Sequence, residues 1–189
     1  FFDDIEFYKE TEFKDTEIGR IPKEWKIVKL SDITTDMYYG ITAKAVNYNS
    51  GLKILRTTDI KDYSFELNTL PYCEITESRN DITKYHLKKD DIIIARAGTV
   101  GVSVLIEEDI PDTIFGSYLI KIRLNKIVRP KFIHYYFQST IYWNHINQAQ
   151  GSTLKNINLP ILKSLLLPLP SLPEQQKIAE ILSTIDNAI

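Results

Sequence analysis

The chain has 189 residues, 43% hydrophobic and 25% charged, with a formal net charge of −2, which suits one globular domain with an appendage. No apolar run approaches the roughly 20 residues that a bilayer-spanning helix needs, and residues 1–12 are acidic and broken by charge, unlike a secretory signal. The single cysteine, Cys73, excludes an internal disulfide and fits a reducing, cytoplasmic setting.

Residues 1–17 hold seven acidic side chains against two basic ones and read as an arm before the domain proper. The remainder carries 21 basic and 18 acidic residues, too mild an excess to mark a nucleic-acid binder by bulk charge. In residues 16–25, TEIGRIPKEW, Gly19 and Pro22 punctuate a turn. Residues 26–30, KIVKL, alternate like a half-buried strand, and Ser31-Asp32 caps a short helical turn. Residues 38–50, polar and aromatic around Gly40, read as a loop or short hairpin. Residues 53–56 are a short strand ending in Thr57-Thr58-Asp59, and the charged residues 74–86 begin as a short helix.

Residues 91–95, DIIIA, are a continuous apolar run and so a buried strand. Gly98 and Gly101 bracket Thr99 in a tight turn, and residues 102–106 return as the other arm of a hairpin. Residues 113–124 read as one strand with Ile120, Ile122 and Leu124 on one face. Pro130 opens a helix whose stripe is Phe132, Ile133, Tyr136 and Phe137. A second helix covers residues 141–149, and a last strand lies near residues 164–167. Short strands scattered among short helices, without regular alternation, predict an α+β fold. The expected architecture is a curved or half-barrel mixed β-sheet with short flanking helices, then the start of a long C-terminal helix that forms a coiled coil.

That helix has the strongest local signal. Ser171-Leu172-Pro173-Glu174 fits a capping box, with the Ser171 hydroxyl accepting the Glu174 N–H and the Glu174 carboxylate reaching back. Pro173 loses no helical hydrogen bond in the first turn. Ile178, Ile181, Leu182 and Ile185 then recur on one helical face, and such a stripe needs a partner. A partner helix is the favoured cover; folding back onto its own domain is the alternative.

Chemistry is sparse. There is no G-x-x-x-x-G-K-[ST] loop for ATP. The glycines of residues 97–101, AGTVG, lie between strands and are not followed by a helix, so they fail the dinucleotide pattern. His86, His134, His145 and Cys73 are too scattered for a zinc site, and no metal site is expected. Four loop clusters remain: Tyr38, Tyr39, Thr42, Lys44, Tyr48 and Asn49; Arg56, Thr57, Thr58, Asp59 and Lys61; Arg96 with Thr99; and Gln150, Gly151, Ser152, Thr153, Lys155 and Asn156. Lysines, hydroxyls and backbone N–H groups suit phosphates, while arginine, asparagine and glutamine suit base edges. Arg56 and Arg96 are the candidates for a bidentate guanine contact, and Tyr39 and Tyr48 for phosphate or sugar. The bland alternative for each is a solvated loop residue. Trp25 and Trp143 read as core anchors.

The order of TEIGRIPKEW, KIVKLSDI, YYGITAKAVNYNSGLKILRTTDI, LKKDDIIIARAGTVG, FGSYLIKIRL, RPKFIHYYFQS and LPSLPEQQKIAEIL resembles a target-recognition domain of the specificity (S) subunit of type I restriction-modification enzymes. The resemblance covers residues 16–189, and its most specific pieces are the I-P-x-x-W opening and the L-P-x-L-P-E-Q-Q-K-I-A-E-I-L close. After the acidic arm at 1–17, it implies a recognition domain at 18–170 and the start of a helical spacer at 171–189. It implies a non-catalytic DNA-reading subunit that docks methylation subunits, in an assembly with a separate restriction (motor–nuclease) subunit. S-adenosylmethionine, ATP and Mg would then sit on partner subunits, with no cofactor in this chain. Such subunits carry two recognition domains on long helices, each reading half of a split target. Here there is one domain and about four turns of one helix, to be completed by a second recognition domain or a second copy of this chain. The four loop clusters are expected to converge on one face and enter the major groove, with Lys44, Arg56, Lys61, Arg96 and Lys155 on a shared surface. Two other readings stay open: the recognition part of a fused methyltransferase or nuclease, and a protein-interaction module that does not touch DNA.

Overall fold

The structure is a computed structural model that describes residues 12–76, 82–150, 156–186 and 188. The fold is α+β, with two main sheets, two small strand pairs and four α-helices among the described residues. β1 (Phe13–Thr16) and β2 (Gly19–Pro22) form a hairpin turned at Gly19, whose φ of +109° suits glycine. β3 (Lys26–Lys29) pairs antiparallel with the last strand, β13 (Leu166–Leu169), with Val28 opposite Leu167. The beginning and end of the domain are therefore one ribbon.

The first main sheet is antiparallel, in the order β10 (Ser103–Leu105), β9 (Asp91–Ala95), β12 (Leu119–Leu124), β4 (Thr34–Tyr39). The second is mixed, in the order β5 (Ala43–Val46), β7 (Tyr72–Ile75), β6 (Lys53–Leu55), β11 (Ile110–Phe115), β8 (His86–Leu87), with β6 and β11 parallel. Of the four connections that cross between these sheets, two run from β4 to β5 and from β11 to β12. They meet at an isolated bridge between Ile41 and Gly116. A Cβ on Gly40 would lie 2.2 Å from the Gly116 carbonyl oxygen, so only glycine lets the crossings touch.

This corner corrects two expectations. Residues 113–124 are two strands in different sheets, because the turn at Gly116 redirects the chain. Residues 38–50 are not merely loop: Tyr38 and Tyr39 end β4 and Ala43–Val46 form β5. Nor do residues 74–86 begin as a helix. Glu74 and Ile75 belong to β7, where Cys73 is buried, Glu74 is exposed, and Lys44 lies opposite Glu74 on β5; cross-strand pairing overrides the charged composition. Thr83–Tyr85 is a 3-10 turn, and residues 77–81 lie outside the described residues.

Every residue of β9 is buried because its sheet is covered on both faces. Ile92 and Ile94 face a core with α1 (Pro130–Tyr136) and α2 (Thr140–Gln150), which includes Phe132, Ile133, Phe137 and Tyr142. Ile93 and Ala95 face a second core, with Leu55, Phe115 and Leu87 of the other sheet. Asp91, at the start of β9, is fully buried and accepts from Lys121 Nζ at 3.0 Å and from Arg123 Nη2 at 2.6 Å.

α3 (Leu159–Ser164) replaces the expected beginning of the last strand. The Asn158 side chain caps it by accepting the Ile161 N–H at 3.0 Å, and Pro160 fits its first turn. The last helix, α4 (Leu172–Asp186), starts where its sequence signal places it, but only half of the capping box forms. Glu174 accepts the Ser171 N–H at 3.0 Å, while the Ser171 hydroxyl donates to the same carboxylate at 2.7 Å instead of accepting from the backbone. Gln175 is buried and pins the helix: its Oε1 accepts the Arg129 N–H at 2.8 Å, and its Nε2 donates to the Pro170 carbonyl at 3.0 Å.

Candidate nucleic-acid interface

The candidate surface is built on the far end of β9. Arg96 directly follows the buried strand; its N–H donates to the Tyr118 carbonyl at 2.9 Å, and its carbonyl accepts the Ile157 N–H at 2.9 Å. The ladder pairs Ala95 with Leu119, so Tyr118 falls opposite Arg96 and shares its face. Tyr118 is 64% exposed. Tyr39 stands one strand further on, opposite Ile120. The Arg96 guanidinium lies over the Tyr39 ring, 4.5 Å from its centroid, and the Tyr39 hydroxyl accepts the Leu159 N–H at 3.3 Å.

Residues 56–64 lie alongside. A Cβ on Gly98 (φ +77°) would sit 3.4 Å from Thr57 Oγ1, so the two turns are in contact. Residues 61–64 close a tight turn with mutual hydrogen bonds between Lys61 and Ser64, and Asp62 and Tyr63 both have positive φ. Trp143 of α2 donates its Nε1–H to the Tyr63 hydroxyl at 3.3 Å and packs on Gly101, where a Cβ would come within 2.9 Å of its ring. Trp143 is thus half-buried and bridges two loops. Thr58, Lys61 and Thr99 are exposed on this assembly.

Arg56 differs from Arg96. Its Nε and Nη2 both donate to the Asp59 carboxylate, at 2.9 and 2.7 Å, and the Asp59 hydrogen bond raises its pKa. Its fork is already occupied. Arg96 Nε is buried without a hydrogen-bond partner, and among the described residues no carboxylate pairs with its guanidinium.

The second and third clusters of the sequence therefore converge, together with Tyr39 from the first. Lys44 and Tyr48 do not join them. They lie on and after the edge strand β5, two strands from β6, where the Tyr48 hydroxyl donates to Glu74 and Lys44 lies opposite that same residue. The Tyr48 pKa is raised by this hydrogen bond. Thr42 sits at the sheet crossing, and its carbonyl accepts from the Thr76 hydroxyl at 3.3 Å. Gln150 closes α2, while Ser152, Thr153 and Lys155 lie outside the described residues. Sequence reasoning misses Tyr118 and Tyr63. The glycine turn FGSY between two apolar runs is the signal that marks an exposed tip at Tyr118; nothing local marks Tyr63.

The second surface is α4. Ile178 packs on the helical core and Leu182 is half-buried, but Ile181 and Ile185 are 45% and 50% exposed. At the other end of the helix, the indole N–H of Trp25 donates to Glu174 Oε1 at 3.2 Å. The opening motif and the closing motif of the chain thus touch across 149 residues of sequence.

Residues 22–189 match the type I restriction modification DNA specificity domain family. The chain belongs to this family. It is 35% identical over 193 residues to the putative type I restriction enzyme MjaX specificity subunit of Methanocaldococcus jannaschii, covering 98% of this chain and 45% of that one. It is 27% identical over 162 residues to the type I restriction enzyme EcoBI specificity subunit of Escherichia coli, covering 84% and 34%. The fold is similar to the HsdS subunit from Thermoanaerobacter tengcongensis, with a TM-score of 0.64 at 19% identity over 93% of this chain and 40% of that one. It is also similar to the S subunit from M. genitalium, with a TM-score of 0.59 at 18% identity over 87% and 39%. The chain spans less than half the length of the specificity subunits it matches. In this specificity domain, the Trp25–Glu174 contact makes the two signature pieces act together, tying α4 to the start of the domain.

Proposed function

We propose that this specificity domain reads one half of a bipartite DNA target in the major groove and carries no catalysis of its own. α4 is the start of the helical spacer; its open face meets a second recognition domain's helix or a second copy of this chain, and methylation subunits dock around it, with restriction subunits joining through them. S-adenosylmethionine, ATP and Mg belong to those partners, and the assembly works in the cytoplasm. The observation that carries the reading is the unpaired Arg96 guanidinium at the tip of a fully buried strand, flanked by Tyr118 and the residue 56–64 loop. An unpaired guanidinium resting over an aromatic ring suits the two acceptors on a guanine edge.

The test is methylome sequencing of cells that hold the complete system with and without this gene. Loss of one split adenine-methylation motif is the expected result. A methylome unchanged by the deletion would remove the DNA-reading role.

A further inference from the structure

From sequence, Tyr39 reads as a candidate phosphate or sugar contact, but its surroundings give it a different role. Its ring is half-buried beneath the Arg96 guanidinium, and its hydroxyl already accepts the Leu159 N–H at the start of α3. The main chain of Arg96 is held from both sides, by Tyr118 and by Ile157. Backbone and guanidinium are thus held by three separate segments: the turn before β12, the residues leading into α3, and β4. Arg96 Nε is meanwhile buried without an acceptor. A buried donor left unpaired costs free energy, and a planar fork resting over an aromatic ring loses few rotamers when it binds. Arg56 lacks this arrangement, since Asp59 takes its fork.

We infer that Tyr39 is the positioning residue of Arg96: its ring sets the guanidinium plane so that the outward nitrogens meet a guanine edge, and its hydroxyl locks that ring to α3. The inference rests on the DNA-reading function proposed above. It predicts that Arg96 and Tyr39 govern a single base pair of the target, and that Tyr39 acts only through Arg96.

The complete specificity subunit, assembled with its methylation subunits, is assayed by competition binding. The competitors are the cognate duplex and duplexes changed at one base pair each. Arg96→Ala is expected to lower discrimination at one guanine-containing pair by about ten-fold or more, and Arg96→Lys by nearly as much, because an ammonium cannot make the bidentate contact. Tyr39→Met fills similar space without a π face and is expected to lose discrimination at the same pair only. Tyr39→Phe returns the ring without the hydroxyl that locks it and is expected to restore most, but not all, of that discrimination. On an Arg96→Ala background, Tyr39→Met is expected to add nothing. If Tyr39→Met does not assemble, Tyr39→Leu supplies the same comparison, and a Tyr39→Phe variant as defective as Arg96→Ala would itself overturn the ring's role. Losses that add in full, or that spread evenly over all base pairs, would also overturn the inference. So would a uniform fall in affinity with a smaller salt slope, which would place Arg96 on a phosphate. If the wild-type assembly prefers no duplex, the DNA-reading function fails; if it discriminates and Arg96→Ala changes nothing, only the Tyr39–Arg96 inference fails.

Discussion

Asp91 places a buried carboxylate between two cations. It is fully buried, shares Lys121 and Arg123, and accepts the Lys88 N–H at 3.0 Å. Lys121 is itself 3% exposed, and burial lowers its pKa while Asp91 opposes that shift. Removing one partner of a buried pair leaves an uncompensated charge, which costs about 3–5 kcal/mol. Asp91→Asn is expected to lose that much in urea unfolding, and adding Lys121→Met should recover part of the loss. His134 sets a pH dependence. Burial first, and then Lys131, push its pKa down to about 4, with Asp186 opposing; Tyr63 and Ser103 also face the ring. The unfolded histidine titrates near 6.5, so between about pH 6.5 and 4 the unfolded state binds more protons and stability falls as pH falls, by about 3 kcal/mol over the whole window. His134→Gln should flatten that slope relative to wild type when unfolding is measured at pH 7, 5.5 and 4.5.

Among the elements, α4 shows how a helix can be anchored and unfinished together. Its first turn is held by Gln175 and by the Trp25–Glu174 contact, and near its C-terminus Asp186 accepts the Tyr135 hydroxyl at 2.7 Å. Its outer face leaves Ile181 and Ile185 open. Both lie outside the domain's two apolar cores, so replacing them with glutamine should change its stability by no more than about 0.5 kcal/mol per site. Assembly through the helix should weaken, seen as a shift to smaller species in sedimentation of the complete subunit with the proposed methylation subunits. An unchanged sedimentation profile would mean that another surface makes the partner contact. The stripe was legible in sequence because helical spacing is a local property. The ends of β4, β5 and β7 were not, because polar and aromatic strands announce themselves only through their neighbours: Glu74 is a strand residue by virtue of Lys44 across from it.

For the whole molecule, the decisive point is the corner where the two sheets cross. Gly40 lies against the Gly116 carbonyl with no room for a methyl group, and the nearest atoms are backbone rather than a side chain that can move. Gly40→Ala should therefore fall in the exceptional class of losses above about 4 kcal/mol, or give no folded domain, as judged by thermal unfolding. Local sequence was enough for the α+β class, the buried strand β9, the glycine turns and the start of α4, since each depends on residues within one or two turns of one another. It also carried the family's opening and closing motifs. It took the packed fold to show that those motifs touch, that Asp59 occupies Arg56, and that Tyr39 lies beneath Arg96. Apart from the Arg56–Asp59 pair, these contacts join residues far apart in the chain, and strand register and packing, rather than local spacing, determine which distant side chains meet.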